Sequence, residues 1–227
     1  MITEVEGVIL SITPYGETSK IINVFTTEYG LIGIMCKGAM GMKSRLRSVT
    51  DKLTYGIFNI YYKKDKLSTL VSVDVINSFK KIKNDILLIS YTSYISELIS
   101  QVIKQTNDKR VYDDYINSLL KIEEGLDPIV ITNILEVKLL DFLGVGLNLT
   151  SCIVCGNKKE IVTLSSEKGG LICKNCYSNE RLVPISIVKI LNMYYLVDIK
   201  SISKLSIKKD IINEINRFLT ISDVVTK

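Results

Sequence analysis

The sequence predicts an α+β multidomain protein in which an N-terminal five-stranded barrel precedes an α-helical domain with an inserted four-cysteine finger. Three observations support this fold class. Apolar residues alternate along the first 80 residues, they recur at intervals of three and four beyond residue 80, and four cysteines form two close pairs in the last third. We therefore expect a barrel domain at 1–80 and a helical domain at 81–227, with a zinc finger at about 150–182.

The barrel prediction depends on five short segments that suit strands. They alternate apolar with polar residues or are rich in β-branched and aromatic side chains, and turn residues or a polar connection separate them. The segments are 5–12, 21–25, 31–37, 53–62 and 67–76. No convincing helix lies between them. Five strands in so short a unit favour an oligonucleotide-binding (OB) fold, although an SH3-like barrel satisfies the same pattern.

Five helices are predicted beyond the barrel. Apolar residues at helical spacing indicate amphipathic helices over 87–102 and 111–122. A third helix has Asp127 as its N-cap and Pro128 at its first position, and it ends at Gly144. This helix is apolar on nearly every side, so we expect it to be the buried central helix. Further helices are expected from Pro184 to about residue 196 and over 207–219.

The cysteine pattern is the most specific feature of the chain. Two Cys-x-x-Cys pairs, separated by seventeen residues, comprise Cys152, Cys155, Cys173 and Cys176. This spacing predicts one structural Zn²⁺ bound by four thiolates, with Gly156 in the first turn and Gly169 and Gly170 in a hairpin between the pairs. Two disulfides, or a lost metal site, remain alternatives. Cys36 lies in an apolar run and is expected to be a small core residue.

Composition excludes several classes of function. The chain has 227 residues and no histidine, which removes the commonest general base, and it carries neither a phosphate loop nor a dinucleotide fingerprint. We therefore expect no enzyme and no small-molecule substrate. The sequence contains no apolar stretch long enough to predict a membrane span. The first residues show no basic region and no apolar signal core, which favours a cytoplasmic, nucleoid-associated protein.

Basic residues in the barrel indicate a polyanion-binding surface. The net charge is +5, and two basic ends flank an acidic middle. An acid-free segment between the third and fourth strands contains two glycines and the cations Lys37, Lys43, Arg45 and Arg47, and the connection after the fourth strand adds Lys63, Lys64 and Lys66. We expect these residues to contact phosphates. Tyr55, Tyr61 and Tyr62 could stack on bases, but strand alternation directs at least half of the aromatic residues into the core.

The order of these features resembles the RecO family of bacterial recombination mediators over essentially the full length. The resemblance is carried by the segments that begin at Glu6, Tyr15, Lys20, Lys37 and Lys43, by Leu139–Gly144, and by the paired cysteines with Gly169 and Gly170. It implies an OB barrel, a helical body and a zinc finger. It also implies binding of single- and double-stranded DNA, strand annealing, and RecA loading with RecR onto DNA coated by the single-stranded-DNA-binding protein (SSB).

The same resemblance implies binding of the acidic C-terminal tail of SSB. The helices from Pro184 and over 207–219 each carry an apolar stripe, and the nearby cations include Lys189, Lys204, Lys208 and Arg217. A groove between these helices would suit an acidic peptide that ends in an aromatic residue, unless both stripes are buried in the core. A zinc-ribbon accessory factor of the transcription or RNA machinery is the alternative function, and an enzyme that relies on lysine or carboxylates is a third.

Overall fold

The first compact unit of the protein contains a closed five-stranded barrel. The computed structural model describes residues 1–106 and 108–221, and it divides into units Met1–Leu119 and Leu120–Lys227. The barrel strands are β1 (Thr3–Tyr15), β2 (Ser19–Thr26), β3 (Gly30–Cys36), β4 (Tyr55–Tyr61) and β5 (Ser68–Asn77). They pair in the order β1-β2-β3-β5-β4, and β4 returns to β1. The predicted five-stranded OB barrel is confirmed.

Apolar side chains from every strand fill the barrel. Alternate residues point inward, as the pleat of a strand requires, and they form one buried cluster. Its members are Val5, Ile9, Ile22, Val24, Ile34, Cys36, Ala39, Phe58, Ile60 and Leu70. Cys36 is fully buried, as predicted, and burial raises the pKa of its thiol to about 12. At Gly56 a Cβ would lie 2.5 Å from the carbonyl oxygen of Asp74, so this position in the β4–β5 pairing requires glycine.

Two short helical turns, one long helix and most of a second complete the first unit. A single turn, α1 (Leu46–Val49), lies between β3 and β4, where no helix was predicted, and α2 (Lys80–Lys83) follows the barrel. The carboxylate of Asp85 accepts hydrogen bonds from the first turn of α3 (Ile86–Val102). The next helix is α4 (Lys109–Glu124). Its Tyr112 ring meets the Phe25 ring of β2 edge-on, with ring centroids 5.2 Å apart.

The second unit is built around the predicted central helix, α5 (Pro128–Phe142). Asp127 caps its N-terminus, and Gly144 follows its end with φ of +73°. Nine of its residues are buried, and it packs against α6 (Ile185–Leu196) and α7 (Lys209–Ile221). Strands β6 (Asn148–Cys152), β7 (Ile161–Ser165) and β8 (Gly170–Cys173) form a separate sheet. Within the described residues, no helix is both long enough and apolar enough to span a membrane.

Candidate metal centre and nucleic-acid interface

The small sheet brings the four paired cysteines together. Cys152 ends β6, Cys173 ends β8, and Cys176 closes the short 3₁₀ turn that follows β8. The Sγ atoms of Cys152, Cys155, Cys173 and Cys176 all lie within 4.8 Å of one another, and Cys155 and Cys173 are separated by 3.6 Å. The sequence spacing therefore becomes one compact four-sulfur cluster.

Local backbone geometry explains how the chain reaches this arrangement. The turn after Cys152 is closed by the Gly156 amide, which donates to the Cys152 carbonyl oxygen at 2.8 Å, and Gly156 has φ of +75°. Strands β7 and β8 form the predicted hairpin, in which Gly169 has φ of +71°. A Cβ on Gly170 would lie 3.0 Å from Asn148 of β6, so glycine allows the two strands to approach closely.

The sulfur geometry suits a metal ion and does not suit disulfides. All five cysteines are free, and a separation of 3.6 Å greatly exceeds a disulfide bond of about 2.0 Å. Tetrahedral Zn²⁺ with Zn–S distances of about 2.3 Å would place sulfurs about 3.8 Å apart, close to this separation. Burial disfavours the Cys152 thiolate, but backbone N–H groups around it lower its pKa to about 6. The cluster thus offers a metal-binding set of sulfur ligands.

The predicted basic loop is exposed and tied to the barrel. Lys37, Lys43, Arg45 and Arg47 all face solvent. The backbone beside them is held, because the Met40 amide donates to the Thr18 carbonyl oxygen at 2.7 Å and the Gly38 amide donates to the Ser19 hydroxyl at 3.1 Å. Ala39, between these two residues, is completely buried in the barrel core. These contacts hold the start of the loop, at residues 38–40, against the barrel.

One further cation, Lys20, lies near this loop. Lys20 of β2 is almost buried, and desolvation lowers the pKa of its ammonium group. The positive charge of Arg47 also lowers this pKa, whereas the negative charge of Asp51 raises it. Asp51 also forms a 3.5 Å ion pair with Lys83. Its strand position gave Lys20 no distinguishing signal, because its proximity to Arg47 arises only when the barrel closes.

The second predicted group of barrel cations lies beside an aromatic pair. Lys63, Lys64 and Lys66 are exposed in the β4–β5 connection, and Lys63 and Lys66 line a cleft of about 360 Å³. The same cleft is lined by Tyr29 and Tyr62, whose rings stack with centroids 4.2 Å apart. Tyr29 was not among the candidates for base stacking, since only its contact with Tyr62 distinguishes it from an ordinary turn residue.

The remaining aromatic candidates differ in their surroundings. Tyr55 is half-buried, and its hydroxyl donates a 2.6 Å hydrogen bond to the Glu6 carboxylate. Burial, reinforced by Glu6, raises the pKa of the Tyr55 hydroxyl. Tyr61 is exposed on β4. Tyr62 packs against the barrel core and supports the ring of Tyr29.

The candidate partner residues of the helical body are all exposed, but they do not share one environment. Lys189, Lys204 and Lys208 face solvent, whereas Arg217 forms a 3.2 Å ion pair with Glu214. The main apolar stripes of α6 and α7 are buried. A second, exposed stripe remains on the outer face of α6, and it consists of Ile185, Lys189, Met193 and Leu196.

A charged cavity of about 330 Å³ lies next to the small sheet, and no pattern in the sequence indicates it. Lys168 and Glu180 form a 2.6 Å ion pair in its wall, and Arg181 pairs with Glu214 at 3.1 Å. The hydrogen bond from Lys168 lowers the pKa of Glu180 to about 2. Because these cations are neutralised by neighbouring carboxylates, the cavity presents little net positive charge.

The fold and the cysteine cluster define an OB-barrel protein with a four-cysteine module, of metal-ligand geometry, in its helical part. Residues 1–79 match the family model described as Recombination protein O N terminal, and residues 83–220 match that of Recombination protein O C terminal. These two matches account for nearly the whole chain, which belongs to the RecO family of DNA repair proteins.

Individual relatives agree with this assignment. The chain is 31% identical over 214 residues to DNA repair protein RecO of Halalkalibacterium halodurans, covering 92% of this chain and 84% of that protein. It is 32% identical over 226 residues to DNA repair protein RecO of Bacillus pumilus, covering 96% and 87%. The RecO protein of Listeria monocytogenes is 31% identical over 209 residues, covering 90% and 82%. The resemblance noted from the sequence is confirmed.

Proposed function

We propose that this protein is a non-enzymatic recombination mediator that binds single- and double-stranded DNA and anneals complementary strands. In this proposal it also acts with RecR to help load RecA onto DNA coated by SSB. The observation that carries the proposal is the match of both parts of the chain to the RecO family. We assign DNA binding to the barrel at 1–80 and partner binding to 81–227, and we place the protein in the cytoplasm, at the nucleoid.

The barrel cations support a mechanism based on phosphate contacts. A mediator must accept any sequence, so it gains affinity from the backbone and little from base edges. Lys37, Lys43, Arg45 and Arg47 are exposed on the loop after β3, and Lys63, Lys64 and Lys66 are exposed on the β4–β5 connection. Neutralising phosphates on two strands lowers their mutual repulsion, which favours annealing without any bond-making step.

We propose that the cysteine cluster binds one Zn²⁺ per chain in a structural role. Four sulfurs within 4.8 Å of one another match a closed, four-coordinate site. A closed site leaves no position for water or substrate, so the ion would hold β6 and β8 together and take no part in chemistry.

The SSB tail is proposed to bind the outer face of α6. Ile185, Met193 and Leu196 give this face exposed apolar area, and Lys189 lies among them. An acidic peptide that ends in an aromatic residue would place its ring on the apolar stripe and its carboxylates near Lys189. This location replaces the groove between α6 and α7, because the stripes that face that groove are buried.

Strand annealing on SSB-coated DNA tests the proposed function. Wild-type protein should accelerate annealing of complementary oligonucleotides coated with SSB, and RecR should be required for RecA loading. A variant with Lys43, Arg45 and Arg47 replaced by alanine should anneal more slowly. The matched control replaces Lys158, Lys159 and Lys174, which are exposed on the cysteine module, and should anneal normally. Wild-type protein that neither binds nor anneals DNA would contradict the proposal.

A separate titration tests the tail site. A labelled SSB tail peptide should bind the full-length chain, and Lys189→Glu should weaken binding by about tenfold through one repelled carboxylate contact. Lys200→Glu is the matched control, because Lys200 is also exposed but lies outside the stripe. Equal losses in both variants would remove the α6 face as the site.

A further inference from the structure

The tip of the β2–β3 hairpin separates two clefts, each of which is lined by two lysines. One cleft, of about 360 Å³, contains Lys63 and Lys66, and the other, of about 550 Å³, contains Lys104 and Lys109. Tyr29 and Leu31 line both clefts, so these two exposed side chains form the ridge between them. All of these residues belong to the first compact unit.

The ridge is rigidly supported. The Tyr29 amide donates to the Thr26 hydroxyl at 3.1 Å, and that hydroxyl donates to the Gly30 carbonyl oxygen at 2.8 Å. Tyr62 supports the Tyr29 ring from one side and itself packs against the barrel core. Tyr29 keeps 37% of its surface exposed. A fixed aromatic ring with one supported face is well prepared to stack on another flat group.

The charges beside the ring favour an anion that follows both clefts. Among the described residues, Lys63, Lys66, Lys104 and Lys109 form no ion pair. Of the acidic residues in these clefts, Asp108 is already bound by Arg110 through a 2.5 Å contact, while Glu28 and Asp65 remain. The lysines of one cleft, the ring of Tyr29 and the lysines of the other cleft follow one another in space. A nucleotide base with a phosphate on each side has the same order of groups, so the base would meet the ring and the phosphates would meet the lysines.

We propose that Tyr29 is a base-stacking residue for single-stranded DNA, whose backbone crosses the β2–β3 ridge from Lys63 and Lys66 to Lys104 and Lys109. This inference rests on the DNA binding proposed above and assigns part of it to this ridge. The ring selects single strands, because the bases of a duplex are already stacked on one another and cannot cover Tyr29. The basic loop at 37–47 contacts phosphates of either form.

A tryptophan reporter tests the stacking directly. The chain contains no tryptophan, so Tyr29→Trp introduces a single indole at the ridge. Its fluorescence should be quenched when the full-length protein binds oligo(dT), and duplex DNA should quench it much less. Tyr94→Trp is the matched control, because Tyr94 is also exposed but lines neither cleft. Equal quenching at both positions, or none at position 29 in a bound complex, would overturn the proposal.

Affinity measurements separate this inference from the proposed function. Tyr29→Ala should weaken oligo(dT) binding by about 5- to 100-fold, while Tyr29→Phe should bind nearly as well as wild type. Duplex affinity should change less than about twofold, since phosphate contacts dominate there, and it also reports correct folding. Wild-type protein that binds no DNA would overturn both proposals. Wild-type binding with an unaffected Tyr29→Ala variant would overturn only the role of Tyr29.

Discussion

The barrel and the cysteine module, which we define as residues 148–176, stabilise their folds in different ways. The barrel buries a cluster of ten side chains drawn from all five strands and from the loop between β3 and β4, and nine of the ten are ordinary apolar residues. The module has three strands of only four or five residues, and two of its buried side chains are the candidate ligands Cys152 and Cys173. Burial of apolar area maintains the first fold, whereas under the zinc proposal above the second depends on a bound ion.

The largest expected effect tests the need for the ion. Cys155→Ser should abolish stoichiometric metal binding, because three thiolates lose the closed tetrahedral site, and metal binding is on the order of 10 kcal/mol of folding free energy in small zinc domains. Elemental analysis should show about one zinc per wild-type chain and almost none in the variant. Hydrogen exchange should accelerate over 148–176 and stay unchanged in the barrel.

Cys36 provides the matched control for this experiment. It is a cysteine of the barrel core, so Cys36→Ala should keep the full metal content. If wild-type protein purified without chelator holds no stoichiometric metal, the cysteine module does not depend on an ion, and the proposed difference from the barrel is wrong.

The next largest effect should fall on the barrel alone. Phe58 is completely buried in its core, so Phe58→Ala should lower the free energy of unfolding by about 3–5 kcal/mol through lost burial and a cavity. Thermal or chemical unfolding of the barrel gives this value, and elemental analysis should show unchanged zinc. Loss of metal in Phe58→Ala would mean that the module depends on the barrel.

DNA binding sharpens the comparison further. Replacing Lys43, Arg45 and Arg47 together should flatten the slope of log affinity against log salt by up to about two to three units, one phosphate contact per cation. Fluorescence anisotropy at several salt concentrations measures the slope. Metal-free Cys155→Ser protein should retain the wild-type slope if DNA contact belongs to the barrel. An unchanged slope in the triple variant would transfer DNA contact to another surface, with the basic C-terminal third the first to test.

The smallest effect concerns alkaline pH. Burial raises the pKa of Cys36 from 9.0 to about 12, so the folded barrel holds the proton more tightly than the unfolded chain. The stabilisation is complete well below pH 9 and is lost as the pH rises towards 12, with a loss of about 1–2 kcal/mol at pH 10. Buried tyrosines such as Tyr112 act in the same direction. The free energy of unfolding should therefore be measured against pH for wild type and for Cys36→Ala, and the difference between the two slopes gives the contribution of Cys36. Identical slopes would contradict the assignment.

The sequence predicts regular features well and contacts between distant residues poorly. Alternation, together with runs of β-branched and aromatic residues, located all five barrel strands, and Asp127, Pro128 and Gly144 marked the ends of α5, because each signal acts over a few residues. The turn of α1 was missed since Leu46–Val49 has neither the length nor the periodicity of a helix.

The candidate sites show the same limit. The four-cysteine cluster followed directly from spacing, and β6 was missed because its parallel pairing with β8 joins segments far apart in the chain. The Tyr29–Tyr62 stack could not be predicted either, since the two rings meet only after the barrel closes. The exposed stripe of α6 needed the packing of α5 and α7 to distinguish outward from inward apolar residues.

The barrel closes through one short strand pairing, and the Tyr29–Tyr62 stack lies beside it. Strands β3 and β5 join through only two residue pairs, Ile34 with Ser68 and Met35 with Thr69, whereas β1 and β2 pair over eight. The stack links the hairpin before β3 to the connection before β5, and Leu67 packs so closely on Gly33 that a Cβ there would lie 2.9 Å away. The two rings therefore add a contact across the short pairing between β3 and β5. Single-stranded DNA that covers the Tyr29–Tyr62 stack, as proposed above, would stabilise the β3–β5 pairing. Amide exchange of β3 and β5 should therefore slow on binding, and the melting temperature of the barrel should rise with DNA concentration.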